Sequence, residues 1–128
     1  MRVILLGALV AVSTAGCAVR RAQPPEALVH LVGAPSVDGY QITLIPAPGA
    51  RINARLGPVL ELAGGERVQF DQARLTEDSA YFAAPPTATL ERGWHHLKGI
   101  LRVGVCPAGL NVCRALVIPI DTAFTSGG

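Results

Sequence analysis

The sequence predicts an all-β domain, an immunoglobulin-like antiparallel β-sandwich of about seven strands. Three observations carry that expectation. There is no heptad, internal repeat or long run of apolar residues at helical spacing. Short apolar runs bounded by Gly and Pro recur instead. Seven of them fall within roughly 100 residues, the density of a seven-stranded sandwich. The expected strands are residues 27–32, 39–45, 58–62, 67–70, 87–91, 97–106 and 112–120. The reversals between them are supplied by Pro35 and Gly39, by Pro46 to Gly49, by Gly64 with Gly65, by Pro85 with Pro86, and by Pro107 to Asn111.

Size and charge narrow the function classes. The 128 residues are 50% hydrophobic and 16% charged, enough for one modest domain and not for a two-domain enzyme. Lys plus Arg number 11 against 9 Asp plus Glu, a net charge of +2, so the chain lacks the basic surplus that nucleic-acid binding needs. Aromatic residues make up 5%, which argues against a stacking platform for sugars or bases.

The first residues have the layout of an export signal. Arg2 is followed by Val3 to Val12 without a polar side chain, then by Ser13, Thr14, Ala15 and Gly16 ahead of Cys17. As a helix the apolar run would be about 15 Å long, half of a bilayer's hydrocarbon thickness, so it would not span stably. Ala15, Gly16 and Cys17 resemble the lipobox of bacterial lipoproteins, whose cysteine is acylated and becomes the first mature residue; Thr14 stands where that pattern usually has an aliphatic residue. The resemblance implies a signal peptide over residues 1–16 and lipidation at Cys17; residues 17–25, with Arg20, Arg21, Pro24 and Pro25, read as a solvated tether, and residues 26–121 as the sandwich. Residues 122–128, with Thr125 to Gly128 at their end, read as a disordered tail. Ala18, rather than Asp, after the cysteine implies a periplasmic protein held at the outer membrane, with the inner membrane as the alternative. The other reading of the same segment is a soluble secreted protein.

The strand over residues 97–106 alternates most clearly. Leu97, Gly99, Leu101, Val103 and Val105 share one face, with Lys98, Ile100, Arg102, Gly104 and Cys106 on the other. Its hairpin partner places Leu116, Ile118 and Ile120 toward the core, and Cys113, Ala115 and Val117 outward. Both cysteines thus fall on the outer face. Directly opposite each other in a non-hydrogen-bonded pair, their Cα atoms would lie about 4.5 Å apart, within reach of a disulfide. With Cys17 accounted for by lipidation, the remaining two cysteines pair, and an oxidising compartment makes the disulfide their resting state.

Two segments resemble the N-terminal periplasmic domain of DsbD-type thiol:disulfide interchange proteins. One is Gly39, Tyr40, Ile42 and Leu44, leading through Pro46-Ala47-Pro48-Gly49 to Ile52-Asn53-Ala54. The other is Leu101, Val103, Val105, Cys106, then Val112-Cys113 and Val117-Ile118-Pro119-Ile120. The resemblance implies that Cys106 and Cys113 shuttle between dithiol and disulfide and pass electrons to a periplasmic thioredoxin-like partner. It also implies an aromatic and acidic cap over the pair, for which Tyr81 and Phe82, with Glu77 and Asp78, are the candidates. The chain has one residue more between its cysteines than that family usually has, and Arg114-Ala115 where the family has prolines.

Thiol activation needs a nearby cation. Arg102 shares a face with Cys106 but is four residues away, about 13 Å along a strand, and Arg114 beside Cys113 should point to the opposite face. His95 and His96 suggest zinc with the cysteines, yet in a continuous strand His96 and Cys106 are about 33 Å apart. His30 reads as a strand residue, and Trp94 as packing beneath the histidine pair. Glu77 and Asp78 point apart as chain neighbours and read as solvated. Ser36, Ser79 and Ser126 lack a nucleophile-elbow context, and Gly64-Gly65 lacks the residues of a phosphate loop. No cofactor or metal is called for, and no catalytic residue is assigned beyond the redox alternative. The sequence therefore points to an exported, lipid-anchored binding or envelope-associated module stapled by Cys106 and Cys113. Its partners would be a membrane, through the lipid, and an envelope protein; the alternative is thiol-disulfide exchange.

Overall fold

The computed structural model describes residues 24–91, 93, 96–110 and 112–124. The expected signal, Cys17 and most of the tether lie outside these residues, as do Arg92, Trp94, His95, Asn111 and residues 125–128. Pro24 and Pro25 open the described chain as a helical turn, α1 (Pro25–Leu28). Proline fits there because the first helical amides have no intrahelical acceptor. Eight strands follow: β1 (Val29–Ser36), β2 (Gly39–Pro46), β3 (Arg51–Ile52), β4 (Val59–Leu62), β5 (Arg67–Gln69), β6 (Thr87–Leu90), β7 (His96–Cys106) and β8 (Arg114–Ala123).

All pairings are antiparallel. One sheet has the order β1-β2-β6; in the other, β7 pairs β8 along one edge and both β3 and β4 along the opposite edge, with β5 outside β4. β3 and β4 thus lie end to end as one interrupted strand. Counted so, seven strands divide between two sheets in immunoglobulin-like order. Apolar side chains from the two inner faces meet: Ile42, Leu44, Ala88 and Leu90 from the first sheet, Leu60, Leu62, Leu97, Leu101, Val103, Val105, Leu116 and Ile118 from the second. Gly99 is required where β7 passes β4, since a Cβ there would run into the Glu61 carbonyl.

Three boundaries differ from the sequence expectation. The strand expected over residues 27–32 begins at Val29, after α1, and continues through Pro35, because β2 offers partners as far as Ser36↔Gly39. β3 is too short to show periodicity and exists through its pairing of Arg51 with Cys106 and Ile52 with Val105. β8 runs to Ala123, and Phe124 is buried with its ring centroid 4.4 Å from that of Tyr40, so the ordered chain continues beyond residue 121. The expectation of a tail from residue 122 is corrected by that packing.

Strand directions sort the connections into two ends. The start of β1, the β2–β3 turn, the loop before β6 and the β7–β8 tip lie at one end. The β1–β2 turn, the β4–β5 turn and the β6–β7 connection lie at the other. At the first end the Ala47 amide donates to the Leu28 carbonyl at 2.9 Å, and Gly49 approaches Ala108 so closely that a Cβ on Gly49 would sit 2.8 Å from the Ala108 Cβ.

Candidate functional site

The β7–β8 ladder pairs residues in constant register from His96↔Ala123 to Val105↔Arg114, and its next rung is Cys106 opposite Cys113. The two are joined by a disulfide, with Cα atoms 3.9 Å apart, closer than the about 4.5 Å of an ordinary non-hydrogen-bonded pair. Alternation along β7 puts the pair on the outer face, as the sequence predicts. That face is nevertheless not open at this height. Cys106 is 2% exposed and Gly104 is buried, whereas Lys98, Ile100 and Arg102 further down the same face are exposed.

Over Gly104 the cover comes from the interruption between β3 and β4. The Asn53 amide donates to the Gly104 carbonyl at 2.8 Å, and the Asn53 Oδ1 accepts from the amides of Arg55 at 2.8 Å and Leu56 at 3.0 Å. This turn lays Asn53 and Leu56 over Gly104, where a side chain would meet the Asn53 Cβ at 3.3 Å. Asn-based turns of this kind form because the side-chain oxygen replaces a backbone acceptor two residues on. Cys113, at the other half of the bridge, is exposed.

The cation nearest in register to Cys106 is Arg51, its partner on β3. Opposite residues in an antiparallel pair leave the same face with Cβ atoms about 5 Å apart. Arg51 is held by an aromatic ring: its guanidinium carbon lies 4.0 Å from the centroid of Tyr81, a cation–π contact. Tyr81 is delivered by a finger over residues 74–83, in which the Ala83 amide donates to the Arg74 carbonyl at 2.8 Å and the Thr76 amide to the Tyr81 carbonyl at 2.9 Å. The finger docks on the interrupted strand, with the Ala54 amide donating to Ala80 at 2.8 Å and the Phe82 amide to Ile52 at 3.1 Å.

The finger's own turn is organised by Asp78. Its carboxylate accepts from the Thr76 hydroxyl at 2.6 Å and from the Ala80 amide at 3.0 Å, which lets Ser79 take a positive φ of 57°. These bonds, the Thr76 hydroxyl first, hold the Asp78 carboxyl below the usual aspartate range, with Arg55 adding to the effect.

The sequence-named residues therefore separate. Tyr81 joins Arg51 beside the disulfide, while Phe82 packs against the core and lines a cleft of about 410 Å³ with Pro58, Phe70, Asp71 and Leu75. Glu77 and Asp78 are both exposed on the finger, with Asp78 engaged in its turn. Arg102, weighed from the sequence as a cation on the face of Cys106, instead pairs with Glu61 at 3.4 Å, as Arg67 does at 4.0 Å. His96 pairs with Asp121 at the far end of β7 from Cys106, and His30 is exposed on β1 opposite Ile45. A second cleft of about 390 Å³ on the outer face is lined by Leu56, Arg102, Gly104, Ala115 and Val117; neither cysteine lines either cleft.

Arg51 was missed from the sequence because its role depends on register. A two-residue strand carries no periodicity, and only pairing with the end of β7 sets it against Cys106. Among the described residues no group of three His, Cys, Asp or Glu could hold a metal ion, and no helix is long and apolar enough to cross a membrane. Compared with family models, with curated proteins and with solved structures, the chain has no match.

Proposed function

We propose that the chain is an exported, lipid-anchored module of the bacterial envelope, carried on Cys17 and held at the outer membrane. It binds through its surface rather than by catalysis, and Cys106 with Cys113 staples the hairpin that closes one end of the sandwich. The observation that supports the staple is burial: Cys106 is 2% exposed, which leaves an incoming thiol almost no access to it. The lipobox-like Ala15-Gly16-Cys17 supports the anchor.

The test is the equilibrium reduction potential of the Cys106–Cys113 pair, titrated against glutathione and read by thiol alkylation. A staple is expected below about −300 mV, where the glutathione pool does not reduce it. A potential above about −250 mV, with native folding in both redox states, overturns the staple.

A second reading, thiol-disulfide exchange, draws on the exposure of Cys113 and the position of Arg51. A partner thiolate would attack the Cys113 sulfur, breaking the bridge and releasing Cys106 as a thiolate opposite Arg51 on β3, a cation that favours that charge. A second partner thiol, once deprotonated, would then displace Cys113. The partner dithiol becomes a disulfide, the domain's disulfide becomes a dithiol, and two electrons and two protons are transferred. Arg51→Ala should then lower the potential and slow exchange while leaving the oxidised fold intact.

A further inference from the structure

The end of the sandwich that carries the disulfide is also the end from which the N-terminal segment leaves. Leu28, in the turn that leads into β1, is bonded through its carbonyl to Ala47 of the β2–β3 turn. That turn in turn abuts Ala108 of the β7–β8 tip. The tip presents Leu110 and Val112 to solvent, 59% and 71% exposed, with Pro48 and Ala108 exposed beside them. A tight turn gains nothing in folding by placing two large aliphatic side chains in water, since neither contributes to the core.

Charge distinguishes the two ends. Among the described residues, the far end carries the exposed acids Asp38, Glu66 and Glu91 at its three connections, with Arg67 and Lys98 as exposed cations close by, and the exposed Val37 sits next to Asp38. The near end carries exposed Arg51 and Arg55, which balance the exposed Glu77 and Asp78 of the finger. An anionic bilayer attracts cations near its surface and repels acids. Reach is short as well: the seven residue steps from Cys17 to Pro24 can extend to about 25 Å at most.

We propose that the near end of the sandwich lies against the bilayer, with Leu110 and Val112 of the β7–β8 tip inserted among the lipid headgroups. The inference rests on the reading of Cys17 as the lipidated anchor. Acyl chains on Cys17 would hold the protein at the membrane while leaving its orientation free, and an apolar contact on the same side fixes that orientation. The far end, with its acids and the outer faces of both sheets, is then presented away from the membrane.

The test uses the full chain purified from bacterial membranes and reconstituted into vesicles of phosphatidylethanolamine and phosphatidylglycerol with bromine high on their acyl chains. In a background with the single native Trp94 replaced by Phe, the probe is Leu110→Trp in one protein and Val37→Trp in another. Intact mass reports acylation of Cys17, and circular dichroism with thiol alkylation reports the fold and the disulfide. The expected result is blue-shifted, strongly quenched emission from the Leu110→Trp probe and unquenched emission from Val37→Trp. Unquenched emission from both probes in acylated protein overturns the contact, leaves the anchor standing, and turns the tip toward water or a protein partner. Absence of acyl chains from Cys17 overturns the anchor and the contact together, and the mass alone identifies that case.

Discussion

Cys106 and Cys113 are the same residue type in one bridge, yet one is sealed and the other faces water. The difference comes from their neighbours: Cys106 ends a strand paired on both edges, whereas Cys113 precedes a strand paired on one. Arg51 shows the same dependence on register, since a cation remote in sequence becomes the one opposite Cys106. Asp78 acts through its chain neighbours alone. Its carboxyl is held below the usual aspartate range, so its ionised form favours the folded turn; that contribution is present above the unfolded value of about 4 and fades as pH falls through the lower folded value. Acid below about pH 4 should therefore loosen the finger and free Tyr81 from Arg51 before the sandwich unfolds. Tyr81 fluorescence and amide exchange across residues 76–81 would show this, and Asp78→Asn should shift the acid response.

At the scale of elements, the β7–β8 hairpin carries the candidate site. Its ladder is the longest among the described residues, and the disulfide closes its open end one rung beyond the last strand pair. Cross-linking so small a loop restricts the unfolded chain, worth about 2 to 3 kcal/mol on the loop-entropy account. Replacing both cysteines by Ala should lower unfolding free energy by that amount in a denaturant titration, with little change in the slope that reports exposed surface. An unchanged midpoint would show that the hairpin is held by packing alone. The interrupted strand matters in the opposite way: by breaking its ladder between Ile52 and Val59 it frees a turn to cover Gly104 and a docking edge for the finger.

At the scale of the whole molecule, stability comes from two sheets closing over one apolar layer. Leu60 is fully buried on β4, between the two neighbours β5 and β7, and contributes to that layer. Leu60→Ala should cost about 2 to 5 kcal/mol, measured by denaturation, because the rigid sheets on either side cannot collapse into the cavity. The chain passes back and forth between the two sheets, so the core joins strands that are distant in sequence.

The sequence by itself determined the all-β class, the two-sheet sandwich, seven of the eight strands to within a few residues and the pairing of Cys106 with Cys113. These are readable because alternation has a period of two and hairpin partners are close along the chain. Tertiary structure decided β3, the continuation of β8 to Ala123 with Phe124 packed beyond it, the burial of Cys106 and the placing of Arg51, Tyr81 and Phe82. Each depends on which distant strand lies alongside, and register between segments far apart in the chain is set by how the two sheets close on their shared core, which local pattern does not encode.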